Sequence, residues 1–314
     1  MVYADGNSKA IDGKSREITA NKITYKKIPN TIKAEGEVRI EDEINDYIIF
    51  SDTAVYQRNE EIVYADGNSK AIDGKSREIT ANKITYKKIP NTIKAEGEVR
   101  IEDEINDYII FSDTAVYQRN EEIVYADGNS KAIDGKSREI TANKITYKKI
   151  PNTIKAEGEV RIEDEINDYE IFSEKITYFI FDEIVKTNGL TEGKIISKYN
   201  IKSKDVNFNF RSKKLSSKSK SIINDQNNQI YYMDEFDYYI EDELLKGKEI
   251  ITITNYNLPN SDKFYFSNGI FNLKTKKFIA KDTEINVHKN IFARNDNDPR
   301  IYGVSAEGTE NKIQ

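Results

Sequence analysis

Cysteine and tryptophan are absent from these 314 residues, methionine occurs twice and histidine once. Without cysteine there is neither a disulfide framework nor a thiolate metal site, and either redox compartment suits the chain. No apolar run reaches the roughly 18 to 20 residues of a membrane-spanning helix. The first residues show neither the charged nor the apolar region of a secretory signal, so the start reads as the middle of a repeat. Net charge is −6 with acids and bases interspersed, leaving no long basic stripe to neutralise a phosphate backbone. Nucleic acid is therefore not an expected partner. What is plentiful is 20 Tyr and 13 Phe beside many Ile and Thr, with 32% of residues charged. That mixture favours an all-β array whose strands each show one face to water over a single large core.

A block of 61 residues, 2–62, recurs without change at 63–123, and a third copy runs from 124 to 169 before departing at Glu170. Tandem self-similarity of this kind marks a stacked array. Each block is itself two diverged halves, with Tyr25 and Tyr56, and Gly36 and Gly67, 31 residues apart. In the first half Ile32, Ala34, Gly36, Val38 and Ile40 alternate with charged residues, as a half-buried strand does. Val63, Ala65, Gly67, Ser69 and Ala71 keep that face in the second half. Turn signals at Pro29-Asn30, Asn45-Asp46, Asn59-Glu60 and Asp73-Gly74 predict strands over 17–25, 31–43, 47–56 and 62–72. If successive strands alternate between two facing sheets, each sheet grows by about 10 Å per block. The small pairs Ala34-Gly36 and Ala65-Gly67 either leave space between the sheets or mark a fold line.

Beyond Glu170 the beat loosens: Lys175-Ile-Thr-Tyr178 echoes Lys22-Ile-Thr-Tyr25, and β-rich stretches follow at 206–210, 229–239, 249–256, 263–273 and 277–287. The Lys/Ser-rich segment 211–221 is expected as a polar connection or exposed edge. The expected organisation is 1–169 exact repeats, 170–292 a diverged continuation, and 293–314 a linker.

Local motifs carry little chemistry. Gly6 and Gly13-Lys14-Ser15 have the wrong spacing for a phosphate loop and are flanked by strands, which makes a hairpin turn. His288 lacks companion ligands or a nucleophile, as a structural or surface histidine does. Glu41-Asp42-Glu43 lacks the glycine and spacing of a calcium loop and reads as a solvated face or turn. Tyr25, Tyr56, Tyr86 and Tyr117 recur as packing rungs more readily than as sugar-stacking platforms. Catalysis, metals and cofactors are not expected. Two readings stay open on physical grounds: a conduit whose facing sheets part to hold acyl chains, and a structural or adhesive rod with a closed dry core.

The wording Ile18-Thr-Ala-Asn-Lys-Ile-Thr-Tyr25, then Ile32-Lys-Ala-Glu-Gly-Glu-Val38, resembles the OstA-like family of β-jellyrolls, found in periplasmic lipopolysaccharide-transport proteins and in the N-terminal domain of the outer-membrane lipopolysaccharide-assembly protein. Phe266-Ser-Asn-Gly-Ile-Phe271, Ala280-Lys-Asp-Thr283, His288-Lys-Asn-Ile-Phe292 and 297–305 look like the part of the assembly protein that leads towards its barrel. The resemblance implies an elongated V-shaped jellyroll on the periplasmic side of the outer membrane. Such a module shields lipopolysaccharide acyl chains in an apolar groove and pairs by an edge strand with a periplasmic bridge jellyroll. It then passes the lipid to an outer-membrane barrel and its lipoprotein plug. The implied groove residues are Ile32, Ala34, Val38, Ile40, Val63, Ala65, Ile93, Ala95, Val99, Ile101, Val124, Ala126, Ile154, Ala156, Val160 and Ile162. One departure is the lack of the cysteines that commonly flank this domain in the assembly proteins.

Overall fold

The computed structural model describes residues 1–13, 16–74, 76–135, 138–288, 299–309 and 312–313. Among them all regular structure is β-strand, and the chain divides into two compact units, Met1–Glu157 and Gly158–Gln314. The fold is an all-β jellyroll in each. Lys14, Ser15 and residues 289–298, which the phosphate-loop reading and part of the linker reading concern, lie outside the described residues.

The first unit is a meander of β1 (Val2–Ile11), β2 (Arg16–Lys26), β3 (Thr31–Asp42), β4 (Tyr47–Gln57), β5 (Ile62–Asp73), β6 (Arg77–Lys87), β7 (Thr92–Asp103), β8 (Tyr108–Gln118), β9 (Ile123–Asp134) and β10 (Arg138–Lys148), each antiparallel to the next. Boundaries fall within a residue or so of the alternation read from the sequence, because one face of every strand is apolar and the turns between carry Asn, Asp and Gly.

Every ladder breaks near its middle. Between β3 and β4 the pair Glu35 and Thr53 is followed by Val38 and Ser51, so Gly36 and Glu37 oppose Asp52 alone. This bulge bends the strand. Gly36 has φ +77 and Glu37 φ +49, and the same left-handed pair recurs at Gly6-Asn7, Gly67-Asn68, Gly97-Glu98 and Gly128-Asn129. Glycine suits the first position because it carries no Cβ: one on Gly36 would lie 2.7 Å from the Asn21 amide nitrogen. The glycines therefore mark a fold line, and the space alternative is not what the structure shows.

The bend changes the architecture expected from the sequence. Strands do not alternate between two sheets; each strand bends and gives one arm to each of two walls. Residues 16–20, 38–42, 47–51 and 69–73 lie in one wall, and residues 22–26, 31–35, 53–57 and 62–66 in the other. Each wall thus gains four arms per copy, about 19 Å of hydrogen-bonded width instead of about 10 Å.

In the second unit some bends widen into breaks. After β11 (Thr153–Asp164) and β12 (Tyr169–Phe179), β13 (Ile184–Ile195) pairs with two short strands, β14 (Tyr199–Lys204) and β15 (Asn207–Asn209), which are arms of one interrupted strand. β16 (Lys214–Ser217) pairs on both sides, with β15 and with β19 (Glu235–Tyr239), and β17 (Ser221–Asp225) pairs with β14 and β18 (Ile230–Met233). Within the Lys/Ser-rich segment 211–221, residues 214–217 form a paired strand with Leu215 and Ser217 inward, and turns and bends flank it on either side. Small hydroxyl side chains can occupy an inward row when the opposing wall comes close, which a composition reading treats as a loop signal. β20 (Leu244–Ile253), β21 (Lys263–Asn272), β22 (Lys277–Asn286) and β23 (Arg300–Thr309) resume as long paired strands.

Candidate functional site: the apolar interior and its rims

The interior between the walls is built from the inward row of every arm. All sixteen residues expected to line a groove fall on that row, and all are 0–7% exposed. Ile40, Ile101, Ala95, Ala156, Val63 and Val124 are fully covered by side chains of the walls. Burying each of the isoleucine and valine side chains among them contributes about 1.5–3 kcal/mol, so the row is a principal source of stability as well as a candidate lining.

Where the walls meet at their outer edges, polar side chains join them. Across the walls the Tyr56 hydroxyl donates to Asp12 Oδ2 at 3.0 Å and the Arg16 guanidinium lies 4.4 Å from the Tyr56 ring, while within one wall Arg16 Nη2 donates to Asp42 Oδ2 of the neighbouring strand at 2.7 Å. One copy later the Tyr117 hydroxyl donates to Asp73 Oδ2 at 2.9 Å, Arg77 lies 4.3 Å from the Tyr117 ring, and Arg77 Nη2 donates to Asp103 Oδ2 at 2.6 Å. Arg119 reaches back across the rim, its Nη2 donating to the Asn45 carbonyl at 2.8 Å and lying 3.2 Å from Asp73 Oδ1. Between these latches the rings of Tyr47 and Tyr86 pack at 4.2 Å, and those of Tyr108 and Tyr147 at 4.1 Å. In the second unit Tyr199 donates to Glu243 at 2.7 Å, and Lys276 Nζ lies 2.6 Å from Asp225 Oδ2.

These rim residues were the main omission of the sequence reading. The solvated-face reading of Glu41-Asp42-Glu43 fits Glu41, which is partly exposed and paired with Arg39, but not Asp42, which is buried against Arg16. The signal was in the alternation: Arg16 continues the inward row of Ile18 and Ala20, and Asp42 that of Val38 and Ile40. A charge in phase with an apolar row points at a partner across the ladder. The tyrosine rungs Tyr56, Tyr86 and Tyr117 are buried packing elements. His288 caps a surface pair, its Nδ1 2.7 Å from Asp262 Oδ1.

The latches set a pH dependence. Burial pushes the Asp42 carboxyl up, but the Asn45 backbone and side-chain N–H groups and the Arg16 guanidinium outweigh it and hold the group below the usual carboxylate range. At Asp73 burial likewise raises, and Arg119 and the Tyr117 hydroxyl prevail and lower. A carboxyl lowered in the folded state contributes stability above its unfolded value of about 4, and that contribution disappears as pH falls through the lower folded value. Urea midpoints are therefore expected to be flat from pH 7 to about 5 and to drop below about 4. Asp73→Asn is expected to start lower at pH 7 and to show a shallower acid limb. An equal acid limb in that variant would show that Asp73 is not one of the groups responsible.

The fold and the interior together define a two-walled antiparallel β-jellyroll whose inward rows are mainly apolar. No family model matches the sequence, and no curated protein does. Among solved structures the chain is similar to the crystal structure of LptH from Pseudomonas aeruginosa, the LptA-homologous periplasmic component of a lipopolysaccharide transport device. The TM-score is 0.36 at 16% identity, over 40% of this chain and 98% of that one.

Proposed function

We propose that this jellyroll is a periplasmic carrier module for a lipid of the lipopolysaccharide class, holding acyl chains between its walls and passing them towards an outer-membrane barrel and its lipoprotein plug. The observation that carries the reading is the combination of a mainly apolar row on the arms of the exact repeats, a glycine fold line at one side, and walls joined at the other by polar contacts. Each methylene taken out of water contributes about 0.8 kcal/mol, so a lined trough makes crossing an aqueous space feasible for several chains at once. The sixteen interior residues supply many similar weak positions, which keeps release easy.

Docking to a bridge jellyroll would run through main-chain pairing at an edge strand.

The near-complete burial of the interior favours one competing reading, a structural or adhesive rod with a dry core. The two separate in a photo-crosslinking experiment. With photo-leucine at Val99, on the inward row, lipopolysaccharide is expected to label when the protein is supplied by its transport partners. With a photo-crosslinker at Glu98, on the outer side of the fold line, it is not. Equal labelling at both, or none at 99 in a folded protein, would leave the rod as the function.

A further inference from the structure

On the outer face of one wall the second unit carries a groove of about 810 Å³ that crosses β15, β16 and β19 to β22. Its floor is the outer row Asn207, Ser216, Asp237, Lys246, Ile270 and Ile279, each the cross-strand partner of the next. The inward row beside it is small apart from Phe236: Ser217, Gly247, Gly269 and Ala280 stand there in register, which lets the wall bow inward and hollows its outer face. Of the charged side chains in the groove, Lys248 is ion-paired with Glu235, and Asp237 with Lys214 at 2.9 Å. Lys218, Lys246 and Lys281 have no carboxylate partner among the described residues, and Lys246 lies 4.9 Å from the Tyr239 ring. Against them stands Asp205, whose Oδ1 accepts from the Gly189 N–H at 2.8 Å. On the outer row of the repeats, by contrast, Arg39, Lys70, Arg100 and Lys131 are each paired with a glutamate. Asn207, Ser216, Ser219 and Asn268 add neutral hydrogen-bonding groups to the groove, while Ser217 Oγ donates to the Lys204 carbonyl at 2.6 Å.

Lysines held over a groove without carboxylates are places for an anion. Lys246 and Lys281 stand on the two strands that flank β21, with Asn268 and Ile270 between them. Ile270 and Ile279 are 43% and 63% exposed and side by side across β21 and β22, an apolar surface directly beside these cations. Three lysines against one aspartate leave two positive charges. That excess matches a phosphate monoester, which carries about −1.5 to −2 at neutral pH, better than it matches the single charge of a carboxylate. The volume is that of a small-molecule site. We propose that the groove binds a phosphate monoester with an aliphatic substituent: the phosphate on Lys246, Lys281 and Asn268, the substituent on Ile270 and Ile279, and Lys218 adding attraction from the bend. The site lies outside the walls, so it goes beyond the carrier reading and does not depend on it.

Calorimetric titration of the whole chain at pH 7.5 with hexyl phosphate, hexanoate and inorganic phosphate tests it. Hexyl phosphate is expected to bind about 10-fold more tightly than either of the others. Lys246→Gln and Lys281→Gln are each expected to weaken it about 5-fold, and Lys246→Arg to retain it. Ile279→Thr is expected to bring hexyl phosphate down to the affinity of inorganic phosphate. All four changes lie on the outer face, and Lys70→Gln, at an ion-paired lysine of the first unit, is expected to leave binding as it was. No binding of hexyl phosphate, or equal binding of all three probes, overturns the proposal. So does binding that ignores the groove substitutions, which would put the ligand elsewhere on the chain. Co-sedimentation with phosphatidylcholine vesicles containing phosphatidic acid separates a free ligand from a headgroup in a bilayer: vesicle binding without hexyl phosphate binding would make the lysines a membrane contact and overturn the site. Labelling at Val99 tests the carrier reading separately, so either can fail while the other stands.

Discussion

Replacing Arg77 with alanine is expected to lower the stability of the first unit by about 3 kcal/mol, the low end for breaking a buried ion pair. Arg77 and Asp103 are each 2% exposed, and their contact at 2.6 Å leaves no route to water for the carboxylate once the guanidinium is gone. Two features keep the loss at the low end. Asp103 still accepts from the Asn106 backbone and side-chain N–H groups at 3.0 and 2.9 Å, and Arg77 itself carries an Nε and an Nη1 without partners. Removing those two orphaned donors returns part of what is lost. The double change Arg77→Met with Asp103→Leu is expected to recover most of the stability, since an apolar pair of similar volume fits a buried position as well as an ion pair does. Urea denaturation followed by circular dichroism reads both. A loss under about 1 kcal/mol for Arg77→Ala would place this pair in the surface-pair class and remove it as a fastening between neighbouring strands at the rim.

Gly97→Val is expected to cost about 2–3 kcal/mol, from backbone strain and a clash together. At φ +79 a β-branched residue is a steric outlier, and a Cβ there would lie 2.7 Å from Asn82 Nδ2 and 3.1 Å from Asn82 Cβ. The amide can rotate away but the Cβ cannot, so the bend itself must open. Gly13→Ala provides the control: no atom lies within 4 Å of its Cβ, its φ is not left-handed, and a change within about 0.5 kcal/mol is expected. If the two substitutions cost the same, the glycine row is not what shapes the fold line.

The strands were legible because the chain writes each one as an apolar row in phase, and the copies Ile32 to Ile40 and Val63 to Ala71 say it repeatedly. The bend was not legible for a related reason. Gly36 stands on the even positions with Ala34 and Val38, so a two-residue period runs through it unbroken, and only the paired registers show that Glu37 joins it in the left-handed region. Position on the interior row could be read for all sixteen candidate residues, whereas the cover over them could not. At the rim of the first copy that closure joins Arg16, Asp12 and Tyr56, which are 40 or more residues apart at the extremes, and each taken singly looks like a turn charge or an aromatic rung. In the second unit inward Ser and Thr replaced the apolar signal, so the stretch holding β16 was read as a polar connection or exposed edge.

The two junctions between copies are the same junction. Tyr47 meets Tyr86 at 4.2 Å and 50°, and Tyr108 meets Tyr147 at 4.1 Å and 45°, with the partners shifted by one copy. Excising residues 63–123 would therefore join two surfaces already fitted to each other, and inserting another copy would create no contact that the molecule does not already make. Unequal recombination between the identical blocks becomes a conservative event for the folded protein, adding or removing four strands and about 19 Å at a time. The first unit is in this sense a ruler with a fixed graduation, and its length can be selected separately from the chemistry of its interior.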